Sequence, residues 1–193
     1  MSLQNFSYQR EVLRKLIHLS SSFFSFMLLY LGKEICLPIF SLITILFLLA
    51  DYMRIKNRNF KKIYNIFFKI VTRPVEENYL TGATHVFLSI LIITILFDVK
   101  IACASLLIMS FSDSAAALIG RYFGKFKILD KSLEGSISFF IVSVLVLLSF
   151  NFSIDKILYV SLVCTVVELL SNKIKVDDNF LVPLSAAVLL TAI

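Results

Sequence analysis

The sequence predicts an all-α fold, a polytopic transmembrane helix bundle of about seven spans with a cytoplasmic N-terminus, and three observations carry that expectation. Of the 193 residues 59% are apolar and the mean hydropathy is +0.89, far above a water-soluble domain. Apolar runs of the length needed to cross a hydrocarbon core of about 30 Å fall at 16–32, 34–50, 80–97, 100–120, 133–150, 155–171 and 180–193. With the N-terminus inside, sixteen of the nineteen Lys and Arg residues lie in segments assigned to the cytoplasm, and only Lys33, Lys100 and Lys156 lie outside, each beside an acid. Cytoplasmic loops are the ones enriched in basic residues, so the alternation supports both the span count and the orientation. Helices are the expected form because open strands would leave backbone groups unpaired in lipid. The whole chain, 1–193, reads as one integral membrane domain.

The first run follows a basic stretch, as a signal peptide would, but no small-x-small cleavage site follows and Gly32-Lys33-Glu34 leads directly into the second run. It reads as an uncleaved first helix. Glu11, Arg14, Lys15, His18, Ser21, Ser22 and Ser25 recur at spacings of three and four, which places them on one face, turned away from lipid tails. The long segment 51–79 contains Lys61 to Ile70, where lysines alternate with Ile, Tyr and Phe in helical fashion, and predicts a basic amphipathic helix in the cytoplasmic interface. Thr81, Thr84 and His85 begin a polar stripe in the third span, and Ser161, Thr165, Glu168 and Asn172 form another in the sixth.

The fourth run ends Ser112-Asp113-Ser114-Ala115-Ala116-Ala117-Leu118-Ile119-Gly120-Arg121 and continues to Gly124-Lys125. A helix there aligns Asp113, Ala117, Gly120 and Gly124, setting a carboxylate above a groove of small residues that a ligand or another backbone can approach closely. The fifth span begins at Lys131-Ser132-Leu133-Glu134-Gly135-Ser136. Ser132 is a predicted N-cap, which leaves first-turn N–H groups and the positive end of the helix dipole facing the cytoplasm. With Arg121, Lys125, Lys127 and Lys131 nearby, this loop has the donors and cations that a triphosphate requires. Asp113, Glu134, Glu168, Asp177 and Asp178 all fall near the cytoplasmic ends of spans four to seven. A nucleoside triphosphate is handled as its magnesium salt and magnesium takes oxygen ligands, so these carboxylates are expected to converge on a divalent metal, Mg2+. Cys36, Cys103 and Cys164 sit within spans without metal-ligand spacing and read as small buried residues. The net charge of +6 is an orientation signal that suits anionic headgroups, and nucleic-acid binding is excluded as its explanation.

These motifs resemble the membrane family of CTP-dependent polyprenol and diacylglycerol kinases, which includes dolichol kinase, phytol kinase and the fungal diacylglycerol kinase. Glu11-x-x-Arg14-Lys15-x-x-His18 resembles the opening motif, and Glu77 followed by Leu80-Thr81-Gly82-Ala83-Thr84 the third-span signature. Asp113-x-x-Ala116-x-x-x-Gly120-Arg121-x-x-Gly124-Lys125, then Lys131-Ser132-x-Glu134-Gly135-Ser136, is similar to the nucleotide-binding core, and Glu168 with Asp178-Asn179 and Pro183 to the closing motif. The match covers most of the chain, which has fewer spans than many eukaryotic relatives. Phosphatidate cytidylyltransferases carry a similar core but add a His-Gly-Gly and Asp-Arg signature, and neither occurs here.

The resemblance implies a lipid kinase acting at the cytoplasmic face of a membrane, with CTP as co-substrate and a polyprenol, prenyl alcohol or diacylglycerol as acceptor. It implies catalytic roles for Asp113, Lys131 and Glu134. It implies nucleotide contacts from Gly120, Arg121, Gly124, Lys125, Lys131, Ser132 and Gly135, and metal ligation by Asp113 and Asp178, with Glu134 and Glu168 as further ligands. Supporting or lipid-side positions are Arg14, Lys15, His18, Thr81, Thr84 and Asn179. The small size and richness in Lys, Ile, Phe and Asn point to a bacterial inner membrane. A cytidylyltransferase is the rival enzyme reading. A small transporter is the rival from another class; it requires broken helices and an inverted repeat, and the sequence shows neither. Oligomeric state is not legible.

Overall fold

The computed structural model describes residues 8–174 and 176–192. Lys175, one of the basic residues assigned to the inside, and Ile193, the end of the last apolar run, lie outside the described residues. The described residues are all-α apart from one tiny hairpin. Its elements are α1 (Tyr8–Ser20), α2 (Ser22–Lys56), α3 (Arg58–Phe68), a 3-10 turn (Pro74–Glu76), α4 (Gly82–Leu96), α5 (Val99–Leu107), a π-helical turn (Ile108–Ser112) and α6 (Asp113–Tyr122). The two-residue strands β1 (Lys127–Ile128) and β2 (Lys131–Ser132) follow, paired antiparallel, then α7 (Leu133–Ser149), α8 (Ile154–Ile174) and α9 (Asp178–Ala192).

Every apolar run of the sequence contains a helix, but among the described residues two helical runs are long and apolar enough to cross a membrane, Arg10–Lys56 and Val99–Tyr122. Helices α4, α7 and α9 are apolar but shorter, and α8 carries Asp155, Lys156, Glu168 and Lys173 among its residues. The first of the long runs breaks where the sequence places a loop: Gly32 has φ 75° and ψ 173°, a conformation open to glycine and closed to most other residues. The fourth apolar run is one helix from Val99 to Tyr122, widened by the π turn just before Asp113. Such widened turns often sit at functional sites.

Polarity runs inside out. Ser25, Thr44, Ser89, Thr94, Ser105, Ser110, Ser112, Ser143 and Ser161 are almost wholly buried, whereas Phe23, Tyr30, Leu42, Leu46, Leu49, Leu158 and Leu162 face outward. In lipid the tails are as apolar as leucine, so association relies on close packing and interhelical hydrogen bonds rather than on hiding apolar surface. Ser143 Oγ donates to Ser112 Oγ at 2.9 Å and the Ser21 and Ser110 hydroxyls lie 3.1 Å apart, tying α7 and α1 to the π turn. One core gathers Leu28, Phe40, Phe87, Ile90, Cys103 and Leu106 between α2, α4 and α5; a second gathers Ile108, Phe139, Leu147, Val160 and Cys164 between the π turn, α7 and α8. The Val99–Tyr122 helix belongs to both, so Asp113 projects from the most enclosed helix in the bundle. All three cysteines are free and buried, as expected.

The 61–70 segment is largely helical, as its pattern predicts. In α3 the Asn57 side-chain oxygen caps the start by accepting from the N–H groups of Asn59 (2.9 Å) and Phe60 (3.2 Å), and Ile63, Ile66, Phe67 and Phe68 are exposed.

Candidate functional site

The end of the central helix meets the start of α7 through glycines. A Cβ on Gly120 would come within 2.7 Å of Ser132 Oγ, and one on Gly135 within 2.8 Å of the Ala116 carbonyl oxygen and 3.2 Å of Gly120 Cα. A Cβ on Gly124 would approach Ser132 Cβ to 2.8 Å. The small-residue groove read from the sequence is therefore filled by the α7 N-terminus. Ser132 caps that helix as predicted, its Oγ accepting from the Gly135 N–H at 3.1 Å. The β1–β2 hairpin before it turns through Leu129, held at φ 56°.

Below the groove lies Asp113, 5% exposed, whose Oδ2 accepts from the Lys15 ammonium in a buried ion pair. His18 Nε2 is 3.3 Å from the same oxygen and 3.0 Å from the Met109 carbonyl. Arg14 pairs with Glu11 one turn earlier. The polar face of the first helix thus docks on the central carboxylate. Across from it, Lys131 Nζ is 2.5 Å from Glu168 Oε1, 2.7 Å from the Glu168 carbonyl oxygen and 3.5 Å from Asp178 Oδ2. Burial works against the Lys131 charge, but Asp178 and Glu168 outweigh it and hold its pKa above the ordinary lysine value. Burial, with Asp178 as a like charge beside it, raises Asp177.

Asp113, Glu168 and Asp178 each offer an oxygen within 4.8 Å of the others, and Glu168 Oε2 is buried without a hydrogen-bond partner. Three hard oxygen donors and an orphaned acceptor fit a hard divalent cation. The cluster opens on a cavity of about 1000 Å³ lined by Arg14, Lys15, Arg121, Lys127 and Lys131 as cations and by Gly120, Gly124, Ser132 and Gly135 at the helix junction. A second concavity of about 720 Å³ between α8 and α9, lined by Leu158, Tyr159, Leu162 and Leu189, has no comparable set of converging charges.

Several expected residues lie elsewhere. Glu134 does not join the carboxylates: from the first turn of α7 its Oε1 reaches back to accept from the Lys125 (2.8 Å) and Phe126 (3.3 Å) N–H groups, bracing the loop. Lys125 is exposed and outside the lining. Thr81 and Thr84 bind Asp51 instead, whose Oδ2 accepts from the Thr81 N–H (2.7 Å), the Thr81 hydroxyl (3.1 Å) and the Thr84 hydroxyl (2.6 Å). Asn179 joins α9 to α4, its carbonyl accepting from Ser89 Oγ at 2.6 Å.

The sequence reading passed over Asp51, Arg54 and Arg73. Arg54 is 1% exposed; it pairs with Asp51 at 2.9 Å and donates to the carbonyls of Glu76 (3.0 Å), Glu77 (3.1 Å) and Tyr79 (2.6 Å). Glu76 Oε2 accepts from the Arg73 N–H at 3.0 Å, and Arg73 lines the cavity with Pro74. The only sequence signal was an arginine fixed by a following proline, hidden in a loop already rich in basic residues.

Known proteins resemble the chain along most of its length. An uncharacterised protein of Rickettsia prowazekii is 30% identical over 194 residues, covering 96% of this chain and 94% of the relative. The CTP-dependent diacylglycerol kinase 1 of Schizosaccharomyces pombe is 29% identical over 149 residues, 75% of this chain and 68% of that enzyme. A probable chloroplastic phytol kinase of Triticum aestivum is 36% identical over 137 residues, 61% of this chain and 46% of the relative. No protein-family model and no solved structure matches.

Proposed function

The chain belongs to the family of CTP-dependent lipid kinases, and on that premise we propose that it transfers the γ-phosphate of CTP to the hydroxyl of a membrane lipid alcohol: a polyprenol, a prenyl alcohol such as phytol, or diacylglycerol. In this reading it crosses the bilayer about seven times and works at the cytoplasmic face of a bacterial inner membrane. The observation that carries the reaction type is the meeting, in one cavity, of a capped helix N-terminus, six cations and a three-carboxylate cluster.

Phosphoryl transfer passes through a loose transition state, so a protein accelerates it by positioning and by neutralising charge rather than by covalent chemistry. The N–H groups at the start of α7, with Ser132 and the Gly120–Gly124–Gly135 junction, let phosphate oxygens approach the backbone. Arg121 and Lys131 contribute charge from either side of that junction. Lys15 holds Asp113 in place, and His18, whose Nε2 bonds the Met109 carbonyl, lies 3.3 Å from the same carboxylate. Asp113, Glu168 and Asp178 would hold a divalent cation such as Mg2+, which when bound offsets the charge of the phosphates. The lipid hydroxyl enters from the bilayer and forms the new O–P bond as the bond to the CDP leaving group breaks. A loose transition state asks little of a base, so the cluster's main task is alignment. Lys125 and Glu134 shape the loop in this scheme, with the Glu134 carboxylate bracing the backbone above the phosphates.

CTP labelled at the γ-position, supplied with magnesium and mixed lipid alcohols, tests the reading. The label is expected in an extractable phospholipid. Its release as pyrophosphate, the outcome for a cytidylyltransferase, would refute the kinase.

A further inference from the structure

Arg54 presents a physical puzzle. A fully buried guanidinium incurs a desolvation cost of several kcal/mol that an ordinary linker does not require, yet this one is spent on a connecting segment between α3 and α4. What it holds is backbone: three carbonyls of the 76–79 stretch, while its partner Asp51 holds Thr81 and Thr84 at the start of α4. Glu76 extends the clamp in both directions, accepting from the Arg73 N–H and, at 3.3 Å, from the Gly82 N–H. Pro74 then fixes the backbone next to Arg73, which is extended at φ −74° and ψ 147°. Each of these contacts limits where the Arg73 side chain points, and it lines the cavity.

Its surroundings show what it is aimed at. The groups acting on the Arg73 guanidinium from other elements are Asp178 and Asp177 at the start of α9 and Asp113 on the central helix. Among the described residues the guanidinium makes no hydrogen bond and no ion pair within 4 Å. It therefore lines the same cavity as Asp113, Glu168 and Asp178 with its donor fork unspent. A planar fork matches two oxygens of one phosphate.

We infer that Arg73 binds the polyphosphate of the nucleotide at its carboxylate-cluster end, and that the Asp51–Arg54 clamp is the positioning device that holds it there. This rests on the proposed nucleotide site, which gains a cation from a segment remote from the glycine junction. Arg73 closes the cavity from the α3–α4 side.

Calorimetric binding of inorganic tripolyphosphate with magnesium to the purified full chain in lipid nanodiscs provides the test, independent of turnover or of the acceptor lipid. Arg73→Ala is expected to weaken binding by roughly tenfold or more, the loss of one charge-assisted bidentate contact. Affinity within twofold of the original overturns the inference and leaves the kinase reading standing; no binding by the unaltered chain overturns both. Adding Asp177→Asn to Arg73→Ala separates contact from mere charge balance: persistent weakness supports contact, and full recovery overturns it. Arg54→Lys keeps a cation beside Asp51 but loses the fork to the three carbonyls. It is expected to weaken tripolyphosphate binding while the lipid KM is unchanged; unaltered tripolyphosphate affinity overturns the clamp's role. Thr84→Val, which removes one of Asp51's donors, replaces that variant if it does not fold.

Discussion

Asp113 draws charged or titratable groups from three other helices, α1, α8 and α9. It sits buried on the central helix, receives Lys15 from a residue 98 positions away, lies within reach of His18 and belongs to the cluster with Glu168 and Asp178. Asp113→Asn preserves size and one acceptor oxygen but removes the charge, so labelled-phosphate transfer per mole of protein that extracts folded is expected to fall on the order of a hundredfold or more. Transfer at the original rate would remove Asp113 from the chemistry. This carboxylate was legible in the sequence because a charge in an apolar run is costly enough to need a reason. Arg73 was not, because a lone arginine among the basic residues of a cytoplasmic loop looks like one more orientation signal. Nor were Asp51 and Arg54: three residues apart at a helix end, they have the spacing of an exposed surface pair, and burial reveals their role.

Among the elements, the junction of α6 with α7 depends on absent side chains. Gly135→Ala would drive a Cβ against a backbone carbonyl that cannot swing aside, and overpacking of this kind costs about 1–3 kcal/mol; a lower unfolding temperature in detergent, with transfer activity lost, is the expected result. The clamp is a different case. Arg54→Met leaves the Asp51 carboxylate buried without its cation, and removing one partner of a buried pair costs about 3–5 kcal/mol, enough for proteolysis of the α3–α4 connection to accelerate sharply. The Lys-Ser-x-Glu-Gly string announced the cap on α7, because a serine before a glycine-bearing first turn has few other uses. It misdirected the reading of Glu134: a carboxylate at the second position of a helix can turn back toward loop N–H groups, and here it does.

At the scale of the molecule, hydropathy located a helix in every apolar run, amphipathic spacing located α3, and the charge asymmetry proposes how they thread the bilayer. Lengths are where pattern and structure part. The ends agree to within a residue where a turn follows the run, α4 stopping at Leu96 and α7 at Ser149, and they part where a helix continues into polar sequence, α2 running past residue 50 to Lys56 and α8 past residue 171 to Ile174. Single cysteines in a background freed of the three buried ones test the threading. With the N-terminus inside, Lys33→Cys and Lys156→Cys are expected to react with a membrane-impermeant maleimide added to intact cells, and Lys127→Cys only after the membrane is opened. Labelling of all three from one side would refute seven crossings. The ion pair between Lys15 and Asp113 has a further consequence for a chain inserted as it is synthesised. Lys15 emerges from the ribosome about a hundred residues before its carboxylate, and Asp178 comes later still. Until those late helices dock, the first helix holds an unneutralised ammonium that favours the headgroup region, and the newborn chain lacks the cavity that the carboxylate cluster opens on. On the proposed reading, assembly of the site is the last event of insertion, and a chain cut short before Asp178 is expected to be inactive.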